Sequence, residues 1–133
     1  MTLYVDSSAL MKRYIAEHDS EVAEHLLNSD PVLVTSRLAE IEVRRNLCRL
    51  LDSAAAGRAK RQFLADLDSF ALVGLDAVTC NEAARIAEQT LCRSLDSLHL
   101  AAASRAGPAT TLITFDARQA QAARSLGMAV IGT

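Results

Sequence analysis

Short apolar runs and helical stretches alternate along the chain. Leu3-Tyr4-Val5 reads as a buried strand, and Asp6-Ser7-Ser8 offers polar caps for a helix through Leu10, Met11 and Tyr14. Asp19-Ser20 caps a second helix, with Val22, Ala23, Leu26 and Leu27 expected inward. Asn28-Ser29-Asp30-Pro31 reads as a turn, and Val32-Leu33-Val34 as the second strand. A long helix is predicted from Ser36 to about residue 56, with Val43, Leu47, Leu50 and Leu51 on one face and Gly57 as its break. The next helix carries Phe63, Leu64 and Leu67, and residues 70–73 form a short third strand. Thr79 with Glu82 makes a capping box for a helix through Ile86 to about residue 91. A further helix is predicted over 95–106, stopped by Gly107-Pro108. Thr111-Leu112-Ile113-Thr114 is the fourth strand, Asp116 starts the last helix, and residues 128–131 close the chain as a fifth strand.

Strands and helices in this order predict a parallel sheet covered on both faces, an α/β class. Residues 1–133 contain no repeat, low-complexity run or linker, so one domain is expected. Half the residues are apolar and 23% charged, an ordinary globular balance. No apolar run approaches the roughly 18 residues a membrane helix needs. No signal peptide precedes the first strand, so a cytoplasmic protein without a membrane anchor is expected. Cys48, Cys80 and Cys92 are odd in number and lack CxxC spacing, which argues against disulfides and a thiolate zinc site. They are read as small buried or half-buried hydrophobes.

Candidate chemistry starts from the sheet. Ligands of open parallel sheets bind outside the carboxyl ends of the strands, where the strand order reverses. Asp6 directly follows the first strand and Asp116 lies two residues past Thr114. Either aspartate also suits an N-cap, and Asp116 with Gln119 resembles a capping box. Asp96 stands among Leu95, Leu98 and Leu100 near a helix start. It is either a dipole-favoured first-turn acid or a carboxylate that needs a partner. Glu40 and Glu42 lie about 200° apart round their helix and cannot face one site. Glu40 precedes Arg44 by four residues, the order of a surface ion pair. Glu42 shares its face with Leu38 and Asn46, which makes it the better inward carboxylate.

Gathered carboxylates stay ionised only with cations between them, and oxygen ligands without Cys or His select Mg2+ or Mn2+. Such ions activate water for attack on a phosphodiester. The formal charge of −2 comes from 14 bases and 16 acids. With four acids committed to cations, twelve face fourteen bases and the remainder carries +2. Net charge therefore does not exclude a nucleic-acid substrate.

Four segments carry a resemblance. Tyr4-Val5-Asp6-Ser7-Ser8-Ala9-Leu10, Thr35-Ser36 with Glu42 six residues on, Leu95-Asp96-Ser97-Leu98-His99-Leu100-Ala101, and Leu112-Ile113-Thr114-Phe115-Asp116 resemble the successive motifs of PIN domains. The likeness is nearest to the VapC toxins of bacterial toxin–antitoxin pairs, and it runs along essentially the whole chain. It implies a three-layer α/β/α sandwich with strand order 3-2-1-4-5, placing Asp6 and Asp116 on adjacent strands. It implies a Mg2+- or Mn2+-dependent endoribonuclease acting on RNA. Asp6, Glu42, Asp96 and Asp116 would form its acidic metal set, with Ser7 and Thr114 supporting them by hydrogen bonds. It also implies a homodimer and a cognate VapB-type antitoxin.

Other residues keep two readings. His99, three residues after Asp96, is either a contact for RNA or site water, or a packed, hydrogen-bonded histidine. His18 and His25 read as surface residues. Arg37, Arg44, Arg45 and Arg49, followed by Arg58, Lys60 and Arg61, suit RNA phosphates or a solvated, ion-paired surface. With no Trp, two Tyr and three Phe, platforms for stacking bases are scarce, which favours recognition through RNA structure and backbone. Among rival enzymes, a haloacid-dehalogenase-like phosphatase wants a second aspartate where Ser8 stands. A receiver domain wants a late lysine, yet the lysines are Lys12 and Lys60. A non-catalytic PIN-like module would have lost site acids, and none is missing.

Overall fold

β1 (Thr2–Val5) is the centre of the sheet, and from Leu3 onward its side chains are buried on both faces. The protein is described from a computed structural model covering residues 2–29 and 32–133; of the turn expected at 28–31, Asp30 and Pro31 lie outside the described residues. After β1 come α1 (Ser7–Tyr14), α2 (Ser20–Leu27), β2 (Leu33–Ser36), α3 (Arg37–Leu50), α4 (Ser53–Leu67) and β3 (Ala71–Val73). The chain continues through α5 (Ala77–Thr90), α6 (Ser94–Arg105), β4 (Thr110–Ile113), α7 (Ala117–Ser125) and β5 (Ala129–Ile131). The strands form one all-parallel sheet in the order β3-β2-β1-β4-β5, as the resemblance implies.

Alternate side chains of β1 enter two cores. Leu3 and Val5 pack with residues of α1, α3 and α4, including Leu10, Val43, Leu47 and Phe63. Tyr4 packs on the other face with residues of α5, α6 and α7, including Ile86, Leu100 and Ala123. This is the period-two alternation of a strand buried on both sides. The reversal of strand order falls between β1 and its neighbours, so the crevice outside the C-terminal ends of β1 and β4 is where a ligand belongs.

Several local expectations are corrected. The long helix does not run unbroken to residue 56. Leu51 is extended (φ −115°, ψ 154°), and Asp52 caps a new helix by accepting from the Ala55 amide. Gly57 sits inside α4, where it weakens the helix by about 1 kcal/mol without ending it. Asp76, rather than Thr79, caps α5, and the Thr79 hydroxyl donates instead to the Gly74 carbonyl. Leu50 and Val22 lie more than half exposed, because the inward positions of α3 and α2 go to Val43, Leu47, Ala23 and Leu27. Cys48 and Cys80 are exposed rather than buried, each on the outer face of its helix; Cys92 is intermediate.

Gly132, just past β5, has φ +109°, and a Cβ there would run into the Thr114 carbonyl. A glycine thus lets the end of β5 close against the residue that braces the crevice.

Candidate active site

The N-terminal turn of α1 begins where β1 ends, so Asp6 stands at the mouth of the crevice while only 3% exposed. Its Oδ1 accepts from the Ala9 amide at 3.0 Å and from Ser8 Oγ at 2.7 Å; its Oδ2 accepts from Thr114 Oγ1 at 2.5 Å. Ser8 and Thr114 also tie the two strand ends together, accepting the amides of Phe115 (2.9 Å) and Asp116 (3.1 Å) respectively. Burial pushes the Asp6 carboxyl above the usual carboxylate range, opposed by the nearby His99 charge and by these hydrogen bonds.

Glu42 reaches the same crevice from α3. Ser7 Oγ donates to its Oε1 at 3.0 Å, and His99 Nε2 lies 2.6 Å from that oxygen. His99 is buried on α6, and its Nδ1 lies 2.9 Å from the Tyr4 hydroxyl. Tyr4 donates its proton to Ser36 Oγ at 2.9 Å, so its oxygen accepts from His99 Nδ1–H. His99 thus sits between the Tyr4 hydroxyl and the Glu42 carboxylate, one ring nitrogen toward each. The chain Ser36–Tyr4–His99 therefore ends on Glu42 and fixes its direction.

Asp96 and Asp116 form the outer wall, outer through the exposed Arg93 that both face, since Asp96 itself is buried. Asp116 caps α7, its Oδ1 accepting from the amides of Arg118 (2.9 Å) and Gln119 (3.3 Å). Asp96 lies in the first turn of α6, with Arg93 Nε 3.2 Å from its Oδ2. The same guanidinium stands 3.8 Å from Asp116 Oδ2, and the Arg93 side chain is 65% exposed.

Asp6, Glu42, Asp96, Asp116, Ser7 and His99 thus line one pocket, with Ser8, Arg93 and Gln119. Thr114 stands behind Asp6. Glu40 is elsewhere, paired with Arg37 (2.8 Å) and Arg44 (3.4 Å). Arg45 and Arg49 are exposed, reach Asn46, and do not line the pocket. Of the two readings of His99, the structure shows the hydrogen-bonded one, with both ring nitrogens engaged inside the protein, while the ring also lines the pocket.

Sequence reasoning passed over Ser8, Tyr4, Arg93 and Gln119. The spacing of Arg93 three before Asp96 was a readable signal. The Tyr4–His99 contact joins residues 95 apart and left no local trace.

The donor set suits a hard divalent cation: four carboxylates and no soft ligand. Gln119, 1% exposed, adds an Oε1 with no hydrogen-bond partner among the described residues. As the side chains stand, no three His, Cys, Asp or Glu among the described residues converge on a single point. The positive charge at the outer wall is the Arg93 guanidinium, so seating an ion there means exchanging one cation for another.

Comparison with known proteins gives the same frame. The chain is 39% identical over 131 residues to ribonuclease VapC46 of Mycobacterium tuberculosis, covering 97% of this chain and 95% of that one. It is 37% identical over 134 residues to ribonuclease VapC35 of that organism, with the same coverage. Among solved structures, FitAcB from Neisseria gonorrhoeae superposes with a TM-score of 0.78 at 18% identity, covering 98% and 96% of the two chains. The Sarcin-Ricin loop cleaving toxin VapC20 of M. tuberculosis gives 0.71 at 20% identity, covering 90% and 94%. VapBC2 from Rickettsia felis, bound to a promoter DNA fragment, gives 0.70 at 12%, covering 98% of both. The PIN domain model itself matches residues 3–125, and the chain belongs to the PIN-domain family.

Proposed function

We propose that this chain is a metal-dependent endoribonuclease, the toxin of a VapBC-type toxin–antitoxin pair, acting as one PIN domain over residues 1–133. The observation that carries the reading is that Asp6, Glu42, Asp96 and Asp116, drawn from four separate segments, line one pocket at the C-terminal ends of β1 and β4. The names of the relatives support the activity, and the toxin–antitoxin complexes among the structural neighbours support an antitoxin partner and a homodimer. VapC20, described as cleaving the Sarcin-Ricin loop, supports structured RNA as the substrate class. No described helix is long and apolar enough to cross a membrane.

Asp6, Glu42, Asp96 and Asp116 would hold Mg2+ or Mn2+. When bound, such an ion supplies an acidified water and charge stabilisation for hydrolysis of a phosphodiester. The chain's own residues prepare that chemistry. Ser8 and Thr114 hold Asp6 at the strand end. Ser7 and His99 hold Glu42, with Tyr4 keeping the imidazole in place. Asp116 spends one oxygen on the α7 cap, which leaves the other toward the pocket.

The test is cleavage of total RNA by purified protein in Mg2+, Mn2+ and EDTA, beside Asp6→Asn. Discrete cuts that need metal and vanish in the mutant are expected. Cutting that persists in EDTA, or in Asp6→Asn at the parental rate, contradicts the assignment.

A further inference from the structure

A cleft of about 380 Å3 adjoins the acidic pocket and shares Arg93 and Asp96 with it. It lies between the end of α5, the start of α6 and α7, and its walls include Thr90, Arg118, Gln121 and Ser125. The two hollows differ in charge. The pocket holds four carboxylates against one guanidinium, whereas the cleft holds two guanidiniums against one carboxylate.

Arg118 is exposed, and its side chain has no hydrogen bond or ion pair among the described residues. Arg37, Arg44, Arg85 and Arg105, by contrast, are each committed to a nearby acid. The Arg118 donors are therefore available to a ligand. α6 also opens beside Arg93 without a side-chain cap, so first-turn amides of that helix remain open toward an anion. Four carboxylates repel a polyanion, and an RNA strand brought to them has to be held by cations beside the reacting phosphate. The cleft places two guanidiniums there, one of them shared with the acidic wall.

We propose that this cleft is a phosphate subsite, in which Arg118 and Arg93 grip the RNA backbone next to the phosphodiester held at the acidic pocket. The inference rests on the ribonuclease reading above. Arginine suits the task because its planar fork matches phosphate oxygens in two parallel hydrogen bonds. Such contacts position the strand without reading its sequence.

The experiment is binding of a fluorescein-labelled, mixed-sequence RNA stem-loop in EDTA, followed by anisotropy across a salt series. Parent, R118A, R118K and the charge-matched control R85A are compared. R118A should bind about tenfold more weakly at low salt and flatten the log–log salt slope by about one. R118K should recover part of the affinity, and R85A should bind like the parent. Because the Arg118 side chain makes no hydrogen bond or ion pair among the described residues, thermal unfolding of R118A should match the parent. If R118A binds RNA as R85A does, the subsite is wrong, even where the parent cleaves RNA normally. That result with weakened inhibition by a partner protein would reassign the cleft to the protein partner. A parent that neither binds nor cleaves RNA overturns the ribonuclease reading and the subsite together.

Discussion

Asp6 and Glu42, on the inner side of the pocket, are each held by several hydrogen bonds from neighbouring elements. Three side-chain or backbone donors fix Asp6, and a buried relay from Ser36 through Tyr4 and His99 fixes Glu42. Asp96 and Asp116, on the outer side, face a single arginine whose side chain is 65% exposed. The contrast teaches how a crowd of acids is kept folded. The inner acids are neutralised by hydrogen bonds that rigid strand ends enforce. The outer ones are paired with an exposed charge that can leave at little expense, since exposed ion pairs contribute about 0–1 kcal/mol. The inner half is preorganised, and the outer half is exchangeable.

The comparison breaks most visibly at Glu42. Glu42→Gln, which removes a carboxylate proposed to hold the ion, should lower cleavage by at least the roughly 10–100-fold that losing an outer-shell partner of a metal ligand costs. Glu40→Gln, which loses only its contacts with Arg37 and Arg44, should be nearly silent. Equal effects in a single-turnover assay would remove the distinction between the two acids.

Exchange at the outer wall predicts the opposite sign of effect. Arg93→Gln removes the charge that competes for Asp96 and Asp116, so Mn2+ should bind several-fold more tightly by calorimetry. Fold stability should stay within about 0.5 kcal/mol of the parent. Weaker Mn2+ binding would show that Arg93 organises these carboxylates rather than holding the place of a cation.

The smallest effect concerns pH in metal-free protein. Asp6 titrates above its unfolded value because of burial, so the folded chain binds that proton more tightly than the unfolded chain does. Its contribution to stability therefore grows as pH falls through the raised folded pKa and levels off below the unfolded one. Asp76 acts the other way. The Thr79 amide and Arg105 hold its pKa down, so its contribution is present above the unfolded value and lost as pH falls. Urea unfolding of parent minus Asp6→Asn across acid pH isolates the Asp6 part. A difference that does not change with pH would mean that Asp6 is not held against its charge.

Much of this was legible in sequence. The alternation of apolar runs with helical stretches placed every strand within two residues, the second ending at Ser36 rather than Val34, because a strand buried on both faces tolerates little else. The acids at strand ends were legible too, though choosing between cap and site proved a false choice. Asp6 and Asp116 each cap a helix with Oδ1, and each also lines the pocket. What stayed hidden depends on distance in the chain or on rival local signals. Tyr4 and His99 meet across 95 residues, which no local pattern encodes. Asp52-Ser53 is a cap in plain view, but Gly57 competes with it as a break signal. An exposed helix interior tolerates one glycine, whereas a side-chain cap starts a new helix outright.

Thermal unfolding with and without Mn2+ tests most directly whether the pocket is a cation site. At a hundredfold excess over Kd the parent should gain about 2.7 kcal/mol, a rise of roughly 10 °C for a domain of this size, with Asp6→Asn gaining nothing. A parent that melts at the same temperature with and without Mn2+, or a mutant stabilised as much as the parent, would contradict the cation site.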